Sequence, residues 1–164
     1  MFRFCCMVVV FMVLGCASTP QTADEYRRAA SGSMVLAVER FEVHRAYNRV
    51  ANTLEIMLAM CFEADARGDL SHDRDSQPAD RQWHPTVIVA DAKTEMHVQG
   101  VKEQGLAYWG QQPQGGPYVL VLDAFPAGVD KTQIVMYRPR VGYGALISTV
   151  KGWVTGEKQA CPAE

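Results

Sequence analysis

The stretch "AYNRVANTLEIMLAMCFEADARG", residues 46 to 68, has the pattern of one long amphipathic helix. Its apolar residues recur at steps of three and four, which places them on one face of a helix: Tyr47, Val50, Leu54, Met57, Leu58 and Cys61. Gly68 is a residue type that commonly follows the end of a helix. A helix with one apolar stripe packs that stripe against another element, so the stretch predicts a layered domain with Cys61 near a buried helix end.

The segments around this helix indicate strands and a second helix. Before it, "SMVLAVERFEVHR" (33–45) has apolar residues of one parity, which predicts a strand. After it, the charged, proline-containing segment 69–85 is typical of a loop. Short apolar runs separated by turn residues then predict antiparallel strands at 86–91, 94–101, 118–125 and 131–139. Residues 143–154 again carry apolar residues at helical spacing, and Gly156 stands where that helix would end.

These elements predict a single α+β domain over residues 33–164. We expect an antiparallel sheet of about four to six strands with two helices packed on one face, in the order strand–helix–strands–helix. An antiparallel sheet with one buried face is the natural partner of two helices that each have one apolar stripe.

The first fifteen residues have the pattern of a secretory signal peptide. Arg3 precedes Phe4–Leu14, eleven residues without charge. A membrane-spanning helix needs about 20 apolar residues, so a run of this length with a basic start indicates the core of a signal rather than an uncleaved anchor, which is the alternative.

The residues Val13-Leu14-Gly15-Cys16 resemble the lipobox of bacterial lipoproteins. In that family the cysteine thiol receives a diacylglycerol and a peptidase cleaves just before it. The resemblance implies that Cys16 is acylated and attaches the protein to a membrane, and that Ala17, in place of Asp, favours the outer membrane. The alternative is an ordinary signal with an incidental cysteine. Residues 17–32 are polar and small, so we expect 16–32 to be a lipidated cysteine followed by a flexible tether.

The five cysteines can then be accounted for. Cys5 and Cys6 leave with the signal and Cys16 accepts lipid, so Cys61 and Cys161 remain as an even pair in an exported protein. Exported compartments permit disulfides, and we predict a Cys61–Cys161 bond. It would close a loop of about 100 residues, for which chain entropy predicts about 4.7 kcal/mol of stabilisation. The alternative is two buried free thiols.

The chain also resembles a group of small, uncharacterised proteobacterial lipoproteins. The likeness rests on the lipobox, on "ERFEVHRAYNRVANTL…CF" (39–62) and on "ISTVKGWVTGEKQACP" (147–162). Ala46 stands where such proteins often carry a proline. The resemblance implies an anchored α+β domain with a disulfide and no assigned activity. The predicted architecture is also similar to accessory lipoproteins of outer-membrane protein assembly machines, which is an analogy of fold alone.

Composition and motifs favour a binding protein over an enzyme. The chain has a net charge of −2, and loss of Arg3, one of its 16 basic residues, would change this to −3, so we expect no nucleic-acid partner. His44, His72, His84 and His97 have no metal-site spacing, and we expect no metal and no cofactor. A nucleophile elbow and a phosphate loop are absent from the sequence. We therefore expect no catalytic residues.

Tyr108 and Trp109, with glutamines nearby, are the best candidate contact site for a sugar or a protein. The alternative is that one aromatic belongs to the core and the other covers a sheet edge. We expect a non-enzymatic envelope lipoprotein, lipid-anchored at the outer membrane with its domain in the periplasm, that acts as a binding or accessory module for an envelope protein partner. The alternatives are a periplasmic carrier of lipid or another small ligand and, last, a hydrolase of envelope material.

Overall fold

The elements are taken from a computed structural model, which describes residues 19–63, 81–102, 112–157 and 161–162. Helix α1 comes first and is followed by strand β1, helix α2, four strands and helix α3. Their bounds are α1 Ala23–Ala30, β1 Leu36–Val43, α2 Tyr47–Leu58, β2 Arg81–Val89, β3 Thr94–Lys102, β4 Tyr118–Pro126, β5 Thr132–Pro139 and α3 Gly144–Thr155. A π-helical segment, Ala59–Glu63, continues α2.

The five strands form one antiparallel sheet in the order β1-β5-β4-β3-β2. The first strand therefore pairs with the last, and Leu36 lies opposite Pro139. Strand β4 is in the middle, and β1 and β2 are the two edges. A register shift at Val98/Gln99 interrupts the β3–β4 ladder in the middle of β3.

Helices α2 and α3 cover one face of the sheet. The inward side chains of the three central strands follow the period of two, and each is buried: Met96, Val98, Leu120, Leu122, Ala124, Ile134 and Met136. The helices bring Val50, Leu54 and Leu58 from α2, and Leu146, Val150, Trp153 and Val154 from α3. Full burial of one such side chain contributes about 1.5–3 kcal/mol, so this cluster is the main source of stability.

Helix α1 lies on the opposite face. Ala23 and Tyr26 pack against Val121, whose side chain points away from those of its neighbours Leu120 and Leu122. The predicted count of two helices and the order strand–helix–strands–helix therefore do not match the structure, because they lack this helix. The α+β class, the antiparallel sheet and the number of strands are confirmed.

Local chemistry explains why α1 forms where a flexible tether was expected. The Thr22 side chain accepts a hydrogen bond from the backbone N–H of Glu25 at 3.2 Å, and Glu25 accepts one from the backbone N–H of Gln21 at 2.7 Å. The first bond satisfies a donor that the first turn of a helix leaves open, and the second ties Glu25 to the residue before the N-cap. Acidic residues in the first turn and basic ones in the last also favour the helix dipole.

Strand β2 begins earlier than predicted. Residues 81–85 were expected to lie in a loop because of their charge and proline, yet they form the first half of β2. Pro85 is tolerated because β2 is an edge strand, where a missing N–H need not break a ladder. The strands expected at 94–101, 118–125 and 131–139 are confirmed to within one residue. Gly68 lies outside the described residues.

Candidate functional site

The predicted disulfide is present. Cys61, in the π-helical end of α2, is bonded to Cys161, with 5.2 Å between their Cα atoms. Beside it, the Phe62 ring meets Trp153 of α3 edge-on, at 6.4 Å between ring centroids. Bond and ring contact together hold the two helices against each other. Cys16, Tyr108 and Trp109 lie outside the described residues, so the lipidation site and the aromatic contact site stay predictions.

The main polar feature is a group of ion pairs beneath α1, formed by Arg27, Asp123, Glu95, Lys93 and Asp24, which we call the α1 ion cluster. The Nε and Nη2 atoms of Arg27 donate to the two carboxylate oxygens of Asp123 at 2.9 and 2.7 Å. Nη2 is also 2.8 Å from Glu95, and Nη1 donates to Asp24 at 2.6 Å. Lys93 donates to Glu95 at 2.8 Å.

Sheet register explains why a cation is needed there. Glu95 of β3 and Asp123 of β4 are directly opposite each other, and like charges in that position repel. The side chains of Asp123 and Arg27 are only 5% and 13% exposed, so water screens the carboxylates weakly. Arg27 lies between the two carboxylates and neutralises their repulsion.

Arg27 and Glu95 of the cluster stay ionised near neutral pH. Burial alone would lower the pKa of Arg27, but hydrogen bonds to Asp123 and Glu95 outweigh it and the pKa is raised. For Glu95, burial would raise the pKa, but the hydrogen bonds from Lys93 and Arg27 outweigh it and the pKa is lowered. Because the charges satisfy one another, we assign the cluster a structural role, which is to fasten α1 to the sheet.

His97 lies two residues after Glu95 on the same face of β3. Its ring meets Tyr118 edge-on, at 5.4 Å between centroids, and within the described residues its buried Nδ1 has no hydrogen-bond partner. Burial lowers the pKa of His97, while the charge of Glu95 opposes that shift. The imidazole is therefore neutral at pH 7. The structure places this side chain half-buried.

The sequence contains one indication of the α1 ion cluster, which the spacing of apolar residues does not reveal. Asp123 is the lone charged residue in "YVLVLDAF", the most apolar run of the domain. A carboxylate in a buried strand almost always has a partner, because an unpaired charge is too costly to bury. The identity of that partner, 96 positions away, could not be read from the sequence.

The open edge of β1 is the candidate binding surface. In the part of the chain that the structure describes, β1 pairs with β5 alone, so the backbone donors and acceptors on its other side have no strand partner there. Glu39 of β1 is held in place because it accepts hydrogen bonds from Lys151 at 2.6 Å and from Arg138 at 3.2 Å. The hydrogen bond from Lys151 lowers the pKa of Glu39. Arg40 and Glu42 are exposed on the same strand.

Other classes of site find less support in the described ranges. No group of three or more His, Cys, Asp or Glu side chains among these residues could hold a metal ion. The space between helices and sheet, which the alternative of a lipid carrier would use, is filled by buried side chains that include Leu54, Leu122 and Trp153. Nor does any helix within the described ranges have the length and apolar character needed to span a membrane.

No protein-family model, curated protein or solved structure matches the chain.

Proposed function

We propose that the protein is a lipid-anchored envelope lipoprotein whose domain binds an envelope protein partner in the periplasm without catalysing a reaction. The Cys61–Cys161 disulfide is the observation that carries the proposal. Disulfides persist in exported compartments and are rare in the cytosol. The bond also takes up both cysteines of the domain, which leaves Cys16, at the end of the apolar N-terminal run, to accept the lipid.

The position of α1 supports close coupling between anchor and domain. Only six residues, 17–22, separate Cys16 from Ala23, the first residue of α1. A fully extended chain advances at most about 3.6 Å per residue, so the acylated cysteine would lie within about 25 Å of the helix. Arg27 fastens α1 to Asp123 in the middle strand. The short segment between Cys16 and α1 would therefore hold the sheet itself near the bilayer.

The edge of β1 supplies the proposed contact surface. An extended segment of a partner can add to an open edge as a further strand, with main-chain hydrogen bonds for affinity and side-chain contacts for specificity. The other edge strand contains Pro85, which lacks the N–H that a ladder needs. The exposed charge of Arg40 would select partners of complementary charge and oppose self-association, whereas Glu42 is paired with Lys131 at 2.7 Å.

The anchor is tested by cell fractionation of the full chain. Cys16→Ala should move the protein from the membrane to the soluble fraction, because one lipidated cysteine supplies the membrane attachment. Cys5→Ala is the matched control, since that cysteine leaves with the signal, and it should stay in the membrane fraction. Retention of Cys16→Ala in the membrane would overturn the proposal.

The contact surface is tested by placing a photo-crosslinking residue at Arg40 or Glu42 of the membrane-attached protein. The matched control position is Asn52, which is exposed on the outer side of α2. We expect one envelope protein to be crosslinked from both β1 positions and not from Asn52. Equal crosslinking at all three positions would show that the β1 edge is not the contact surface.

A further inference from the structure

Three apolar side chains gather at one end of the sheet. The β1–β5 ladder continues beyond Leu36, because the backbone N–H of Arg140 donates to the carbonyl of Val35 at 2.9 Å. Met34 and Val141 are the next residues along these two segments of the chain. Met34, Val35 and Val141 are 90%, 72% and 86% exposed, and we call these three residues the apolar end patch.

Hydrogen bonds fix the backbone that carries this exposed patch. Ser33 Oγ accepts hydrogen bonds from the backbone N–H groups of Val35 and Leu36, both at 3.1 Å, which fixes the turn that leads into β1. The bond from Arg140 fixes the backbone at Val35 from the other strand. Single exposed apolar residues are common on proteins, but several adjoining ones on a fixed backbone indicate an interaction surface.

The charges around the patch favour an anionic partner. Residues 26–38 and 131–156 contain no Asp or Glu, although the whole chain has a net charge of −2. Arg140 is exposed beside the patch. The first carboxylate along β1 is Glu39, which is already paired with Lys151 and Arg138. Apolar side chains next to an exposed cation suit the interface of a bilayer that contains anionic phospholipid.

The N-terminal chain favours a bilayer over other occupants of the apolar end patch. The described residues begin at Thr19, and the apolar run and Cys16 precede it. Helix α1 is about 12 Å long at 1.5 Å per residue, and its last residue, Ala30, is four positions before Met34. A lipid on Cys16 would therefore keep a bilayer within reach of the patch and hold it there at high effective concentration.

We infer that the apolar end patch is a membrane-contact surface, on which the anchored domain rests against anionic phospholipid. The inference rests on the proposed lipid anchor and extends it, because it gives the domain a defined orientation. With this end on the bilayer, the β4–β5 turn at the opposite end of the sheet points away from the membrane. The β1 edge then runs from the membrane end of the sheet to the end that carries this turn.

The test uses the full-length lipidated protein on vesicles of phosphatidylethanolamine and phosphatidylglycerol with brominated acyl chains, which quench tryptophan on contact. Met34→Trp and Val141→Trp report on the patch. Val129→Trp is the matched control, because Val129 is also 90% exposed but lies in the β4–β5 turn. After subtraction of the fluorescence of the unsubstituted protein, we expect quenching at 34 and 141 to exceed that at 129 by about twofold or more.

The outcomes separate the two proposals. If the protein floats with the vesicles but positions 34 and 141 are quenched no more than 129, the membrane-contact surface is overturned and the anchor stands. That result is also expected if a second copy or a protein partner covers the patch. If the unsubstituted full-length protein does not float, the anchor fails and the contact surface fails with it. All three sites are exposed, so unchanged melting temperatures should show that each variant is folded.

Discussion

Arg27 and Asp123 are 96 positions apart in the chain and are joined by a two-pronged contact, with N···O distances of 2.9 and 2.7 Å. The arginine belongs to the helix closest to the proposed anchor, and the aspartate belongs to the middle strand of the sheet. Planar guanidinium and carboxylate groups that meet in this way make strong and directional hydrogen bonds. The position of α1 on the sheet therefore depends on this arginine as well as on the packing of Ala23 and Tyr26 against Val121.

Loss of that arginine should be costly. Arg27→Ala leaves Asp123 buried without its main partner, for which we expect a loss of about 3–5 kcal/mol in the free energy of unfolding. Arg28→Ala is the matched control, because Arg28 is exposed on the same helix and its change should be within about 0.5 kcal/mol. Urea unfolding followed by circular dichroism measures both. Equal stability of the two variants would contradict the assignment of Arg27 as the fastening residue.

Reduction of the disulfide should also destabilise the domain. The Cys61–Cys161 bond closes a loop with a sequence separation of 100, for which chain entropy predicts about 4.7 kcal/mol of stabilisation. The urea midpoint should fall when a reductant is added. Cys61→Ala/Cys161→Ala should unfold at the lower midpoint and be insensitive to the reductant. An oxidised protein that reacts with a thiol reagent at both positions would show that the bond does not form.

Stability should fall as the pH drops below neutrality, partly because of His97. Its pKa in the folded protein is below the ordinary value of 6.5, since burial disfavours the charged ring. Between the two pKa values the unfolded chain binds more protons, so the free energy of unfolding decreases as pH falls from about 6.5, by at most about 1.4 kcal/mol per pH unit. His97→Gln should remove this part of the pH dependence of the free energy of unfolding, which urea unfolding between pH 7.5 and 5 measures.

The matched control for that experiment is His44→Gln, because His44 is exposed on the chain that leaves β1. It should keep the pH dependence of the unsubstituted protein. A second loss of stability is expected below about pH 4.5 in every variant that keeps Glu95, because the lowered pKa of that carboxyl contributes stability only above its unfolded value. An unchanged slope in His97→Gln would contradict the role of His97.

Gly100 should not tolerate a side chain. A Cβ atom there would lie 2.9 and 3.1 Å from two ring carbons of Trp83, which itself meets Tyr143 edge-on at 5.9 Å between centroids. Gly100→Ala should therefore lower the free energy of unfolding by about 1–3 kcal/mol, because the ring must shift. Gly144→Ala is the matched control: nothing lies within 4 Å of its Cβ position, and alanine suits a helix better. A neutral Gly100→Ala would show that Trp83 can move at little cost.

Strong periodicity made α2, α3 and three strands predictable. The stripe from Tyr47 to Cys61 and the run "YVLVLDAF" each agree with the element that forms, because burial and local preference act in the same direction. The first half of β2 was missed because Pro85 and its charged neighbours are typical of loops. Its position at the sheet edge, which the sequence does not reveal, makes the proline acceptable.

Helix α1 was missed because its sequence, "ADEYRRAA", is polar apart from alanine and one tyrosine. The capping residues Thr22 and Glu25 are a local signal for the start of this helix that the spacing of apolar residues does not include. The α1 ion cluster could not be predicted from local sequence patterns, because Arg27 meets Glu95 and Asp123 only after the sheet has formed. The sequence supplied the candidate disulfide by counting cysteines, which needed no knowledge of the fold.

Pairing of the first strand with the last has a consequence for folding during synthesis. β1 has its ladder partner in β5, and Arg27 has its partner in β4, so neither can be satisfied until most of the chain has been made. Such long-range contacts slow folding to about milliseconds to seconds. The chain emerging from the ribosome therefore cannot complete its sheet until β5 has been made, and an incompletely folded chain is the form that the proposed export would require.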